Sequence, residues 1–210
     1  MTERERRARP AATSLPHARP PVDAADPLDE ATRPRAPKHP AAGPPRRGGT
    51  GLRLKLIHDG LRREMRQIRT AVEQVAAGRL DPAGARRAVN QLSSRQGYRT
   101  LGAFCTAYHR TLTVHHTIED QLMFPELRDR QPSLGPVVER LEQEHEVIAE
   151  TLANLDTALV ALVEGDQAGS AARLDRVRAL TARLDRVLSS HLRYEEDELL
   201  EPLDRLGIHV

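Results

Sequence analysis

HHTIEDQLMFPEL, residues 115–127, decides how the chain is read. Leu112 and Leu122 mark an apolar helical stripe, and His115 and Glu119 fall on that same stripe. A helix that turns a carboxylate toward its own core needs a partner for it, because an unpaired buried charge is costly. Whether the residues have a common purpose depends on what the other helices carry.

Upstream the stripe continues as Leu101, Cys105, Tyr108 and Leu112, so the spacing predicts a long helix from about Tyr98 to Arg130, ended by Gln131-Pro132-Ser133. An earlier stripe runs Leu54, His58, Leu61, Met65, Ile68, Val72, Val75 and stops at Gly78. A short extra helix is expected over 82–95, with Asp81 as cap and Pro82 at its start, broken by Gly97. A third stripe reads Leu134, Val138, Leu141, His145, Ile148, Leu152, Leu155, Leu159, Leu162, to Gly165. A fourth, from about Ser170, reads Leu174, Val177, Leu184, Leu188, His191, Glu195, Leu199. Four amphipathic helices joined by mostly short loops predict an all-α, antiparallel four-helix bundle over 51–210.

Composition agrees. Aromatic residues make up only 2% and there is no Trp, so the core must be built from aliphatic side chains that favour helices over strands. A net charge of +2 provides no global field toward nucleic acid. Cys105 is the only cysteine, which excludes an intrachain disulfide and a CxxC metal site; its stripe position suggests a small buried side chain. No stretch has the length of a membrane span or the apolar run of an export signal, so a cytoplasmic location is expected. Residues 1–50 hold ten of the fifteen prolines and few large apolar side chains, and are expected to be a disordered tail. With ten basic and six acidic residues the tail offers at most a weak contact with an anionic partner.

Each of the four stripes carries one histidine: His58, His115, His145 and His191. Two of them have a glutamate four residues later, Glu119 and Glu195, which puts a nitrogen and an oxygen donor side by side over one helical turn. One such histidine is ordinarily a core residue with its own hydrogen bonds. The repetition on four helices, with two carboxylates in the same relation, points to a bound metal that supplies the missing positive charge. Four imidazoles and two carboxylates exceed the needs of one tetrahedral zinc, and calcium or magnesium would want oxygen donors. The set suits a dinuclear iron centre, with manganese or a mixed pair left open. A ferritin-like plan would need two Glu-x-x-His pairs; Glu142 and His145 make one, and Leu188 stands where the second would require a glutamate.

The segments H58DGLRREM, H115HTIEDQLMFP, E144HEVI and H191LRYEEDELLEP give the order H…HxxxE…H…HxxxE, over about 54–206. In this the chain resembles the hemerythrin family in its HHE cation-binding form, in the pattern of actinobacterial hemerythrin-like proteins. The resemblance implies an up-down-up-down bundle around two iron ions, bridged by an oxo or hydroxo group and by carboxylates. It implies His58, His115, His145 and His191 as terminal ligands and Glu119 and Glu195 as bridges. Phe124-Pro125 follows His115 at the family's usual distance, which favours His115 over His116 as ligand. Glu196, at the spacing where oxygen-carrying members place an aspartate, is the alternative to Glu195. His116 and Asp120 are read as supporting or solvent-facing, and Tyr108 and Tyr194 as candidates beside the ligands. Pro125 and Pro202 are expected to kink or end their helices.

Oxygen carriers of the family have a fifth histidine on the third helix, where this chain has Leu141 and Ala149. A missing ligand leaves a position for an exogenous molecule, as metal-centred catalysis requires. The resemblance therefore implies reaction with peroxide, dioxygen or nitric oxide, foremost a catalase-like disproportionation of hydrogen peroxide in stress defence. The other readings are a sensor or binder without turnover, and iron storage or iron–sulfur repair. Against repair, the tail lacks the N-terminal cysteine motif usual in such members. A monomer or small homo-oligomer is expected.

Overall fold

Thr50–Ala76 forms helix α1, whose stripe of Leu54, His58, Leu61, Met65, Ile68 and Val72 is buried along its length. The computed structural model describes residues 28–38, 49–77, 101–164 and 169–208. Helix α2 runs Leu101–Ile118, passes through a π-helical segment at Glu119–Met123, and resumes as α-helix at Phe124–Arg130. A 3₁₀ turn at Pro132–Leu134 leads into α3, Gly135–Glu164, and α4 spans Ser170–Leu206. The described residues contain no strand. The extra helix expected over 82–95 and the side chain of Cys105 lie outside the described residues.

The pairing of residues across the helices gives the topology. Leu61 meets Tyr108, and His58 meets His115, so α1 and α2 are antiparallel. Glu73 meets Arg178, Arg69 meets Asp185 and Gly51 meets Asp204, so α1 and α4 are antiparallel as well. Glu119 with His145 and Arg128 with Glu142 set α2 against α3, and Glu144 with His191 sets α3 against α4. The result is an up-down-up-down bundle whose ends are closed by local devices. A Cβ on Gly51 would lie 2.8 Å from the carbonyl oxygen of Leu200, so only glycine lets α1 start this close to α4. Gly207, at φ 63°, ends α4 in the left-handed region and lets Ile208 fold back into the core.

Two features depart from the stripes. The π segment inserts one extra residue into the turn after Glu119, and the Phe124 amide donates five residues back, to the Glu119 carbonyl. The apolar phase then shifts by one: Leu122 is 66% exposed and Met123 takes the core position at 1%. Pro125 follows at once; having no N–H, it cannot complete an ordinary i→i−4 bond there. Pro202 lies inside α4, which continues to Leu206. Neither proline ends its helix.

The second departure is residues 28–38. They pack on the bundle as a strap. Leu28 is buried in the main core, a 3₁₀ turn follows at Glu30–Thr32, and Tyr194 donates to the Pro34 carbonyl at 2.8 Å. Composition undervalues this segment because its anchors are one leucine and polar groups that find partners only on the folded bundle.

Candidate metal centre

The middle of the bundle is lined with imidazoles and carboxylates instead of aliphatic side chains. His58 comes from α1, His115 and His116 from α2, Glu119 from the π segment, His145 from α3, and His191 and Glu195 from α4. All seven are buried, and both glutamates are at 0% exposure. Their donor atoms fall into two groups, each within 4.8 Å: His58, His115, Glu119 and Glu195 in one, and His116, His145 and His191 in the other.

The two carboxylates lie between the groups. Glu119 Oε1 is 3.1 Å from His115 Nε2, while its Oε2 is 3.5 Å from His145 Nε2. Glu195 Oε2 is 3.3 Å from His58 Nε2 and 3.8 Å from His191 Nε2. None of these contacts has hydrogen-bond geometry. The Nε2 atoms of all five histidines and all four carboxylate oxygens are buried without a hydrogen-bond partner. Native interiors leave only a few such atoms scattered through a domain, and nine gathered at one place are what a set of cation-binding donors looks like. Nitrogen and carboxylate oxygen together fit a transition metal better than calcium or magnesium.

The titration of these groups follows from burial. It pushes His115 down to about 3 and His116 well below its ordinary value, with help from the neighbouring histidines. His191 is also lowered by burial, against the pull of Glu144. Neutral imidazoles present a lone pair. Burial raises Glu119 strongly, and the charge of Glu195 adds to the shift. Burial also opposes the charge on Glu195, but His58 and then His191 and His115 hold it low. Reciprocally, Glu195 and Glu196 outweigh burial and raise His58. Without a cation, the pair of glutamates is driven to share one negative charge.

Around the centre lies a second layer of acids. His58 Nδ1–H donates to Glu196 at 3.0 Å, His145 Nδ1–H to Asp120 at 2.8 Å, and His191 Nδ1–H to Glu144 at 3.2 Å. Each bond fixes the ring so that Nε2 faces inward, as acid partners of metal-binding histidines commonly do. Arginines complete the layer: Arg62 donates to Glu196 at 2.6 Å, and Arg33 and Arg140 to Glu144. Burial would raise Glu196, but the bonds from His58 and Arg62 bring it down to about 2. Glu196 thus points to the outer nitrogen of His58, while Glu195 alone of the two reaches the centre.

All six residues singled out as ligands, His58, His115, Glu119, His145, His191 and Glu195, come together here. His116 is the correction. It is buried, stacked on the His145 ring with centroids 3.9 Å apart, and belongs to the second group. Consecutive helical residues differ by about 100° in direction. His115 therefore meets His58 of α1, while His116 meets His145 and His191 of α3 and α4. The HH doublet was the available signal. Asp120 and Glu144 were legible only as acids, since their partners come from other helices. Tyr108 fills core space and donates to the Leu61 carbonyl at 3.3 Å, and Tyr194 donates to the Pro34 carbonyl of the strap. Glu142 pairs with Arg128, away from the centre.

The family model of the hemerythrin HHE cation-binding domain matches residues 53–203. No curated protein and no solved structure gives a match. No described helix is long and apolar enough to cross a membrane.

Proposed function

Because the chain belongs to the hemerythrin HHE family and is a metal-binding protein, we propose that its centre holds two iron ions and disproportionates hydrogen peroxide. The observation that carries this reading is the position of Glu119 and Glu195 between two groups of imidazoles. His58 and His115 would serve one ion, His116, His145 and His191 the other, and the two carboxylates both. Manganese or a mixed pair is the alternative loading.

Iron supplies a reversible electron acceptor and a seat for a small oxygen ligand. The chain's own residues set the conditions. The five imidazoles and two carboxylates provide nine donor atoms, which do not saturate two six-coordinate ions, so room for an exogenous ligand remains. Glu196, Asp120 and Glu144 hold three of the rings in a fixed tautomer. Phe124 stacks on His145 at 5.6 Å and walls that side with apolar surface. In each turnover one peroxide is oxidised to dioxygen and a second is reduced to two waters, which needs no outside reductant.

A second reading is favoured by His116. A set of four imidazoles would lack one of the oxygen carriers' five, whereas five imidazoles converge here. A five-histidine centre suits reversible binding of dioxygen or nitric oxide, with the strap or the rest of residues 1–50 as an output. Oxygen evolution from peroxide by the iron-loaded protein separates the two. Turnover well above that of free iron supports the enzyme; a saturable spectral change without oxygen release supports the binder.

A further inference from the structure

We propose that Arg33 is a positioning residue for the metal centre, acting through Glu144 on His191, and that the strap of residues 28–38 serves to deliver it. The proposal rests on the reading of His191 as a metal ligand.

Arg33 lies 111 positions from Glu144 in sequence, yet it forms a two-pronged contact: Nε to Oε1 at 2.8 Å and Nη2 to Oε2 at 3.0 Å. Both side chains are buried, at 5% and 1% exposure. The same Oε2 accepts the Nδ1–H of His191, so one carboxylate oxygen joins the guanidinium to the ring. The planar fork matches a carboxylate in both distance and direction, which a lysine cannot do.

A simple tether does not require this arrangement. The strap is already anchored on both sides of Arg33. Leu28 is buried in the core, Arg35 donates to Glu198 at 2.7 Å, and the Ala36 amide donates to the same carboxylate at 2.6 Å. Arg33 itself is stacked 4.7 Å over the Tyr194 ring, and that tyrosine bonds back to Pro34. The Tyr194 ring, not the Arg35 ion pair, is what the Arg33 guanidinium rests on where it meets Glu144. The acid behind His58 is served by Arg62, one turn along α1 from that histidine. The acid behind His191 instead draws on a residue outside the bundle, in addition to Arg140.

The expected effect has a sign. A carboxylate with a strong cationic partner is a weaker acceptor from an imidazole N–H. Losing Arg33 leaves Glu144 pulling harder on the His191 proton, which makes the ring a stronger donor to the ferric ion and lowers the midpoint potential. It also frees Glu144 to move, so ring orientation is less well held. For release the lost orientation decides: losing a metal ligand's own acid partner commonly costs about tenfold or more in metal affinity, and a Glu144 left mobile approaches that limit.

The experiment uses the full-length, iron-reconstituted protein and three variants: Arg33→Met, Arg33→Lys and Arg35→Ala. The readouts are the midpoint potential of the iron and its release rate to a chelator, with helix content followed in parallel. Arg33→Met should give a more negative potential and release about tenfold faster, Arg33→Lys an intermediate result, and Arg35→Ala values within twofold of the parent. A parent-like Arg33→Met overturns the proposal, with Arg140 then sufficing for Glu144. Equal changes in Arg33→Met and Arg35→Ala also overturn it, since the strap would then act only as a tether. A parent protein that takes up no iron would instead defeat the metal-centre reading itself.

Discussion

His115 and His116 are neighbours in sequence, with ring centroids 5.5 Å apart, but they serve different sides of the bundle interior. His115 joins His58 and the two glutamates; His116 joins His145 and His191. His116→Ala should therefore lose about half of the bound iron and keep its helical content. Metal analysis beside far-ultraviolet circular dichroism checks this. Full iron with an unchanged spectrum would place His116 among ordinary core residues.

Glu119 contacts both groups, so its removal should affect both sites. Glu119→Gln is expected to lose most of the iron. In the metal-free protein the same change should be stabilising, because burial and then Glu195 raise the pKa of Glu119 and make its charge costly near neutral pH. A gain of about 1–3 kcal/mol is the appropriate scale. Denaturant unfolding of the metal-free pair measures it, and a large loss of stability would contradict the account.

The π segment makes a prediction that the apolar stripe alone would reverse. Met123→Asp should cost about 3–5 kcal/mol, because Met123 is buried. Leu122→Asp should cost under about 0.5 kcal/mol, because Leu122 is solvent-exposed. Equal penalties, or the opposite order, would mean that the helix keeps its ordinary register past Glu119.

Glu196 sets an acid dependence. Its pKa is brought down to about 2, against the ordinary 4.5, by His58 and Arg62 acting against burial. A depressed acid contributes stability that is complete above its unfolded pKa and is lost as pH falls from about 4.5 through about 2. A dry site would convert this shift into about 3 kcal/mol; screening by the solvent that still reaches the partly buried Glu196 reduces that to about 1 kcal/mol. Glu196→Gln should lower metal-free stability by that amount at neutral pH, and the gap should close toward pH 2. A gap that does not change with pH would rule out the ion pair as its source.

Much of the fold was legible because period and chemistry coincide. The stripe from Leu134 to Leu159 is buried at every position named, and the four histidines on the stripes sit where their phase put them. The change of register at Met123 was not legible, because a π turn leaves no separate pattern in composition. His116 was set aside for the same reason that it matters: it stands one residue off the stripe. Residues 28–38 were assigned to the tail since prolines and charges dominate them. What docks them, Arg33 on Glu144 and Arg35 on Glu198, depends on acids more than a hundred residues away.

The central claim is a dinuclear centre held by two groups of imidazoles with Glu119 and Glu195 between them. Iron per chain, measured after anaerobic ferrous reconstitution and removal of loose metal, tests it most directly. The account predicts about two irons in the parent protein and fewer than about half an iron in Glu119→Ala. One iron or none in the parent, or two irons retained in Glu119→Ala, would contradict it.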